Sequence, residues 1–166
     1  MNIQTWKKSG DYFDFEGKPI FLIHKETARP PLLCLHGFPT SSYDYHKIWK
    51  QLCGRFSPVA FDMIGYGLSA KPEDFEYTTF RQADVLQSLI EHLRIKELHI
   101  LSHDYGNTII QELLARDEEN RLNFEISSIC MMNGALFPET HRPILAQKIL
   151  ISPLGFYLTN LQRINV

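Results

Sequence analysis

The sequence predicts an α/β fold built on a mostly parallel sheet with helices on both faces. Three observations carry that expectation. Short runs such as 32–35 and 58–61 are almost uniformly apolar, as strands buried on both faces are. Between such runs lie stretches of helical period, clearest where Leu86, Leu89, Ile90 and Leu93 fall at i, i+3, i+4 and i+7. The two kinds of segment alternate along the chain, which is the pattern of strand–helix–strand units.

Taken in order, residues 12–15 and 19–23 flank the turn-forming Glu16-Gly17-Lys18 and read as an opening antiparallel hairpin. The run 32–35 follows as a strand, ended by His36-Gly37-Phe38-Pro39. One helix is expected over about 42–52, then a strand at 58–61 closed by Asp62 and a glycine-bearing turn. The next helix starts near Tyr77 and carries the apolar face named above. A strand at 98–101 breaks at 102–104, and Ile109, Ile110, Leu113 and Leu114 begin a further helical face. Residues 126–132 form the sixth strand candidate. After Gly134, Pro138, Pro143 and Pro153 divide two short amphipathic pieces, 144–150 and 156–161.

Composition bounds the function. The 166 residues contain 44% hydrophobic and 22% charged side chains, values of a globular domain with a buried core. A net charge of −2 gives no basic face for nucleic acid. No apolar run approaches the roughly 18 residues of a membrane span. The first residues show no apolar stretch of a secretory signal. Cys34, Cys53 and Cys130 are widely spaced and odd in number, so a reducing compartment, the cytoplasm, is expected in place of a disulfide framework. The chain has no CxxC, and His99 and His103 stand on a strand without a carboxylate-rich partner, so no metal is expected. Gly65 to Ala70 formally reads GxGxxA, but Pro72 and two acidic residues follow where a dinucleotide fold needs a helix N-terminus.

In a parallel sheet chemistry collects at the C-terminal ends of the strands. Those ends here are 36–39, 62–69 and 102–106. The segment Ser102-His103-Asp104-Tyr105-Gly106 passes directly from strand to helix with small residues two positions either side of Asp104. A sharp strand–helix elbow needs that spacing, because the backbone folds tightly there. Centring the elbow on Ser102 would put Ile100 and Asp104 at the small positions, which fits badly. Asp104 could also be a plain helix cap, since aspartate is a preferred one. A carboxylate at the tip is already ionised at neutral pH and can displace a leaving group from saturated carbon. The ester so formed must be hydrolysed by an activated water, and its oxyanion needs fixed N–H donors. The expected donors are the backbone N–H groups of Tyr105 and Phe38. His36, Gly37 and Pro39 form the supporting loop, with His36 fixing it by hydrogen bonding.

The motifs HGFP at 36–39, DMIGYGLS at 62–69 and SHDYG at 102–106, in that order, resemble the α/β-hydrolase superfamily. The resemblance is to its aspartate-nucleophile branch of epoxide hydrolases and haloalkane dehalogenases, and it runs from about residue 12 to the end. It implies an α/β-hydrolase fold, a small organic substrate and no cofactor. It assigns 1–136 to the N-terminal part of the core and 137–166 to the beginning of a helical cap. Dehalogenases of this branch hold halide with an asparagine in the HGxP loop and a tryptophan after the nucleophile. Phe38 and Tyr105 stand there instead, which lowers dehalogenation and leaves an epoxide-like or still unassigned substrate. Epoxide opening implies a cap tyrosine acid, for which Tyr157 is the candidate. The family histidine follows the last strand, whereas the one histidine after Asp104 is His141, at the cap entrance. The last strands of the family sheet also have no counterpart, which would leave 126–132 as an apolar edge. The expectation is therefore a C-terminally truncated hydrolase without turnover, or else a non-catalytic scaffold that binds a partner.

Overall fold

Alternation of side chains along each strand sends two apolar sets to opposite faces of one sheet. The computed structural model describes residues 1–134 and, beyond them, Lys148. Two compact units divide the chain, Met1–Leu136 and Phe137–Val166, and the architecture below is that of the first. The strands among the described residues are β1 (Asp11–Phe15), β2 (Lys18–His24), β3 (Pro31–Leu35), β4 (Ser57–Phe61), β5 (Glu97–His103) and β6 (Glu125–Met132). Their order in the sheet is β1-β2-β4-β3-β5-β6. The β1–β2 and β2–β4 pairs are antiparallel, and β4, β3, β5 and β6 run parallel. The mostly parallel sheet expected from the sequence is thus present, with its antiparallel opening hairpin.

Helices cover both faces. Leu33, Leu35, Val59 and Phe61 point into a core shared with helices α3 (Thr79–His92) and α4 (Tyr105–Glu118). Leu32, Cys34 and Ala60, the intervening positions, point the other way. They meet Trp6 of α1 (Ile3–Ser9), Tyr45, and Trp49 of α2 (Trp49–Cys53). The five residues of β4 are all buried, which explains the unbroken apolar run in the sequence. Within α3, Leu86, Leu89 and Ile90 are fully buried, and Thr78 caps the helix by accepting from the Arg81 N–H.

Two elements differ from the sequence expectation. The single helix over 42–52 is instead a 3-10 turn at Ser42–Lys47 followed by the short α2. Ser42 and Tyr45, three residues apart, are both buried, and a three-residue turn stacks them on one side where a 3.6-residue turn would not. The Tyr45 hydroxyl then reaches the carbonyls of Leu35 and Leu101. Helix α1 was not expected at all. Its one buried residue, Trp6, gives no periodicity, and it is held by edge-on contact with Trp49 and an indole N–H to Ser42 Oγ at 3.2 Å.

Among the described residues β6 pairs on one side only, and its side chains are exposed or half-buried throughout. His99 on β5 is half-buried and bonds Ser128 through Nδ1 at 2.8 Å. The pieces at 144–150 and 156–161, with His141 and Tyr157, lie outside the described residues.

Candidate active site

The C-terminal ends of β3, β4 and β5 bring the three sequence motifs together. Asp104 lies at the tip between β5 and α4 with φ 53° and ψ −126°. Positive φ is uncommon for a residue with a Cβ, costs on the order of 1–3 kcal/mol, and persists only where the surroundings enforce it. Here the enforcement is visible. The Asp104 N–H bonds the Met132 carbonyl at 3.2 Å. Asn107, in the first turn of α4, accepts from the buried Ser102 hydroxyl at 2.6 Å and donates to the same Met132 carbonyl at 3.0 Å. The elbow is thereby tied to the end of β6.

Both small positions flanking the tip are filled by residues the packing requires. Ser102 is fully buried. A Cβ on Gly106 would lie 2.7 Å from the His36 carbonyl oxygen and 2.9 Å from that of Leu35. On the opposite wall, a Cβ on Gly37 would come within 2.4 Å of the Asp104 Cβ. Glycine at 37 and 106 lets the β3 loop close against the elbow.

That closure sets the electrostatics. The Phe38 N–H donates to Asp104 Oδ1 at 2.8 Å, and the Tyr105 N–H donates to the same oxygen at 2.6 Å. Oδ2 has no hydrogen-bond partner among the described residues. An ordinary N-cap has extended φ and accepts from the second or third N–H of its helix. Asp104 does neither: its backbone is left-handed and its side chain accepts from the first N–H. The N-terminus of the 14-residue α4 adds its partial positive charge at the same place.

His36 is fully buried and uses both ring nitrogens. Nδ1 donates to the Gly37 carbonyl at 2.9 Å, and Nε2 accepts from the Met63 N–H at 3.0 Å. One donor and one acceptor describe the neutral imidazole. Burial pushes its pKa below the ordinary 6.5, outweighing the raising effects of the Gly37 hydrogen bond and Asp62. The folded state therefore binds fewer protons than the unfolded state as pH falls through 6.5. Stability from this group is present above that pH and is lost below it. The expected result is that His36→Gln flattens the acid side of a urea-unfolding pH series between pH 7 and 5. An unchanged slope would show that His36 does not carry it. The Phe38–Pro39 peptide that continues this loop is cis.

Several residues named in the sequence were given no part in the site by it. Asp62, 2% exposed at the end of β4, accepts from the Ser42 N–H at 2.7 Å through Oδ1 and the Leu68 N–H at 2.6 Å through Oδ2. It fastens the 62–69 turn to the loop after β3. Tyr66, on that turn, packs edge-on against His36 and Phe38. Its place between two glycines at a strand end was the available signal. His103 reaches Asp44 at 3.1 Å, and Asp44 also takes the Thr40 hydroxyl, joining elbow and loop. Phe38 exposes 52% of its surface, leaving an apolar ring at the mouth of the site.

Among the described residues no group of three His, Cys, Asp or Glu could hold a metal ion. Among them, too, no helix is long and apolar enough to cross a membrane. Cys34, Cys53 and Cys130 are all free thiols.

Comparison with known proteins places the fold. The chain is 44% identical over 170 residues to the mesoderm-specific transcript protein of Mus musculus, covering 95% of this chain and 51% of that protein. It is 36% identical over 106 residues to haloalkane dehalogenase 2 of Mycobacterium bovis, covering 64% of this chain and 37% of that protein. A crystal structure of a loop variant of haloalkane dehalogenase DbeA from Bradyrhizobium elkanii superposes with TM-score 0.74 at 27% identity, over 95% of this chain and 56% of that one. The chain spans about half the length of the mouse relative. Residues 30–158 match the α/β hydrolase fold family, and with the strand order and elbow described above, the chain belongs to that family.

Proposed function

We propose that the chain carries the nucleophile and oxyanion site of a hydrolase that works through a covalent ester on Asp104, with an epoxide-like substrate. The observation that carries this reading is the pair of N–H donors, Phe38 and Tyr105, converging on Asp104 Oδ1. For a serine nucleophile the oxyanion arises on the substrate, so its donors must stay open until substrate arrives. For a carboxylate nucleophile the oxyanion of the second step arises on the enzyme's own oxygen. Donors that already hold that oxygen suit the second case.

The chemistry follows atom by atom. Oδ2, without a hydrogen-bond partner among the described residues, forms a bond to the substrate carbon. The carbon–oxygen bond of the substrate breaks, and its electron pair stays on the departing oxygen. Oδ1 becomes the ester carbonyl. When a base-activated water attacks Cγ, charge develops on Oδ1, already between its two donors, and nothing has to move.

The relatives named above as haloalkane dehalogenases suggest a halide leaving group as the competing substrate class. Phe38 brings no side-chain donor for a halide, and its exposed ring favours an apolar substrate body. Among the described residues, the base for the second step, a histidine in this reading, has no candidate in the site. His36 is buried with both nitrogens engaged, and His103 is paired with Asp44. On the described residues alone, ester formation is the step this site supports.

Incubation with styrene oxide tests this. Intact mass should show one adduct per chain, and peptide mapping should place it on Asp104. No adduct, or an adduct confined to cysteines, overturns the reading. Repeated turnover overturns the single-hit part of it.

A further inference from the structure

We infer that His103 and Asp44 are positioning residues of this site, which together hold the Phe38 N–H donor against the Asp104 oxygen. The use of that donor in catalysis rests on the ester-forming reading above, whereas the brace itself rests on contacts within the fold.

One peptide unit connects the two sides. The Gly37 carbonyl and the Phe38 N–H belong to the same planar amide, so whatever grips the carbonyl aims the N–H. The N–H meets Asp104 Oδ1 at 2.8 Å. The carbonyl accepts from His36 Nδ1 at 2.9 Å and from the Thr40 N–H at 3.2 Å. Its two lone pairs are then occupied.

A third donor stands within reach. The Thr40 hydroxyl lies 3.2 Å from the same carbonyl and also lies against Asp44 Oδ2. A hydroxyl has one proton to give, and a carboxylate oxygen is the stronger acceptor. Asp44 therefore draws that proton away from the carbonyl, and the peptide plane keeps the tilt set by the other two donors. His103 Nε2 approaches the same Asp44 Oδ2 at 3.1 Å. A carboxylate only accepts, so Nε2 carries the proton of this bond. The Tyr45 ring stands edge-on to His103 at 6.0 Å, and its hydroxyl is fixed on the Leu35 and Leu101 carbonyls.

His103 directly precedes Asp104 in the chain. The contacts thus close a ring. It runs from Asp104 Oδ1 to the 37–38 peptide, through Thr40, Asp44 and His103, and back along the backbone to Asp104. No member moves without stretching another, which fixes the donor relative to the nucleophile. Stability does not account for the pair. The Asp44 and His103 side chains are 31% and 25% exposed, and ion pairs so placed contribute little to folding. What they govern is donor geometry, on which stabilisation of a developing oxyanion depends.

The unaltered chain is compared with His103→Phe, His103→Gln, Asp44→Ala and the double variant of His103→Phe with Asp44→Ala. The first readout is the Phe38 amide proton resonance, with Tyr105 as the internal control, because both bond the same oxygen. The expected result is an upfield displacement of Phe38 in His103→Phe and in Asp44→Ala, with Tyr105 in place. His103→Gln, whose amide N–H replaces the Nε2 donor, restores the resonance, and the double variant moves it no further than either single one. The second readout is cleavage of the Asp104 ester, formed with styrene oxide, by added hydroxylamine. The hydroxylamine nitrogen attacks Cγ and charge gathers on Oδ1. The ester carbon–oxygen bond then breaks, the alcohol leaves with a proton, and a hydroxamate remains on residue 104. Cleavage is expected to slow about tenfold in His103→Phe and Asp44→Ala, a part of the roughly hundredfold that loss of a whole oxyanion donor costs. Ester formation should slow less than its cleavage.

The two variants remove one bond from its two ends, so either decides the matter if the other fails to fold. A Phe38 resonance that stays in place overturns the inference. Equal movement of Phe38 and Tyr105 overturns it as well, because a generally disturbed elbow would move both. Failure of His103→Gln to restore the resonance removes His103 from the brace. Absence of any Asp104 ester in the unaltered chain overturns the parent reading and the catalytic use of the brace, and the amide resonances still decide whether the brace holds Phe38.

Discussion

Asp104→Asn is expected to bring ester formation with styrene oxide below detection while changing stability by no more than about 1 kcal/mol. An amide nitrogen in place of Oδ2 has its lone pair delocalised and is not a nucleophile toward an epoxide. The amide oxygen can still accept from the Phe38 and Tyr105 N–H groups, so the convergence on Oδ1 survives. Asparagine is also among the few residues that tolerate positive φ, which position 104 demands. What is lost is the charge beside the α4 N-terminus, a small term. Intact mass and a urea titration on the same sample separate the two effects. A full adduct on the variant would remove Asp104 from the chemistry. A large stability loss would show that the carboxylate is chiefly structural.

The largest stability effect is expected at Asp62. Its carboxylate, away from solvent, takes the Ser42 and Leu68 N–H groups on separate oxygens. Asp62→Ala strands both donors, and an orphaned buried donor costs about 1–3 kcal/mol. A loss of about 2–4 kcal/mol is expected, read as a shift in the urea midpoint. Asp62→Asn should recover only part of it, since its NH₂ would face an N–H where an acceptor is required. The same variants should slow ester formation, because the 62–69 turn and the loop from 37 to 44 both lose their fastening. A loss below about 1 kcal/mol for alanine would mean that water replaces the carboxylate without penalty.

The two effects are distinct in kind. Asp104 sits in a strained elbow that the fold stabilises from outside, through Asn107, Met132 and two glycines. Asp62 is itself the stabiliser, and the chemistry depends on it only through position. Substitution at the first should remove reactivity and spare stability, whereas substitution at the second should lower both.

The sequence by itself determined a mostly parallel sheet, its opening hairpin, the helix starting near Tyr77 with its Leu86–Leu93 face, and the elbow at Asp104. Each of these rests on local information: period 2 or 3.6, uniformly apolar runs, and small residues at fixed offsets. The three site motifs were legible for the same reason, since parallel topology sends strand ends to one edge. Tertiary structure decided the rest. Helix α1 exists because Trp6 finds Trp49 and Ser42, which lie more than thirty residues away. The helix expected over 42–52 splits because Ser42 and Tyr45 must both turn inward beneath the strand ends. The focusing of two N–H groups on one Asp104 oxygen, and the edge-on packing of Tyr66 against His36 and Phe38, depend on how three loops pack. No spacing within a single segment encodes a distance between segments, so only the folded chain could show them.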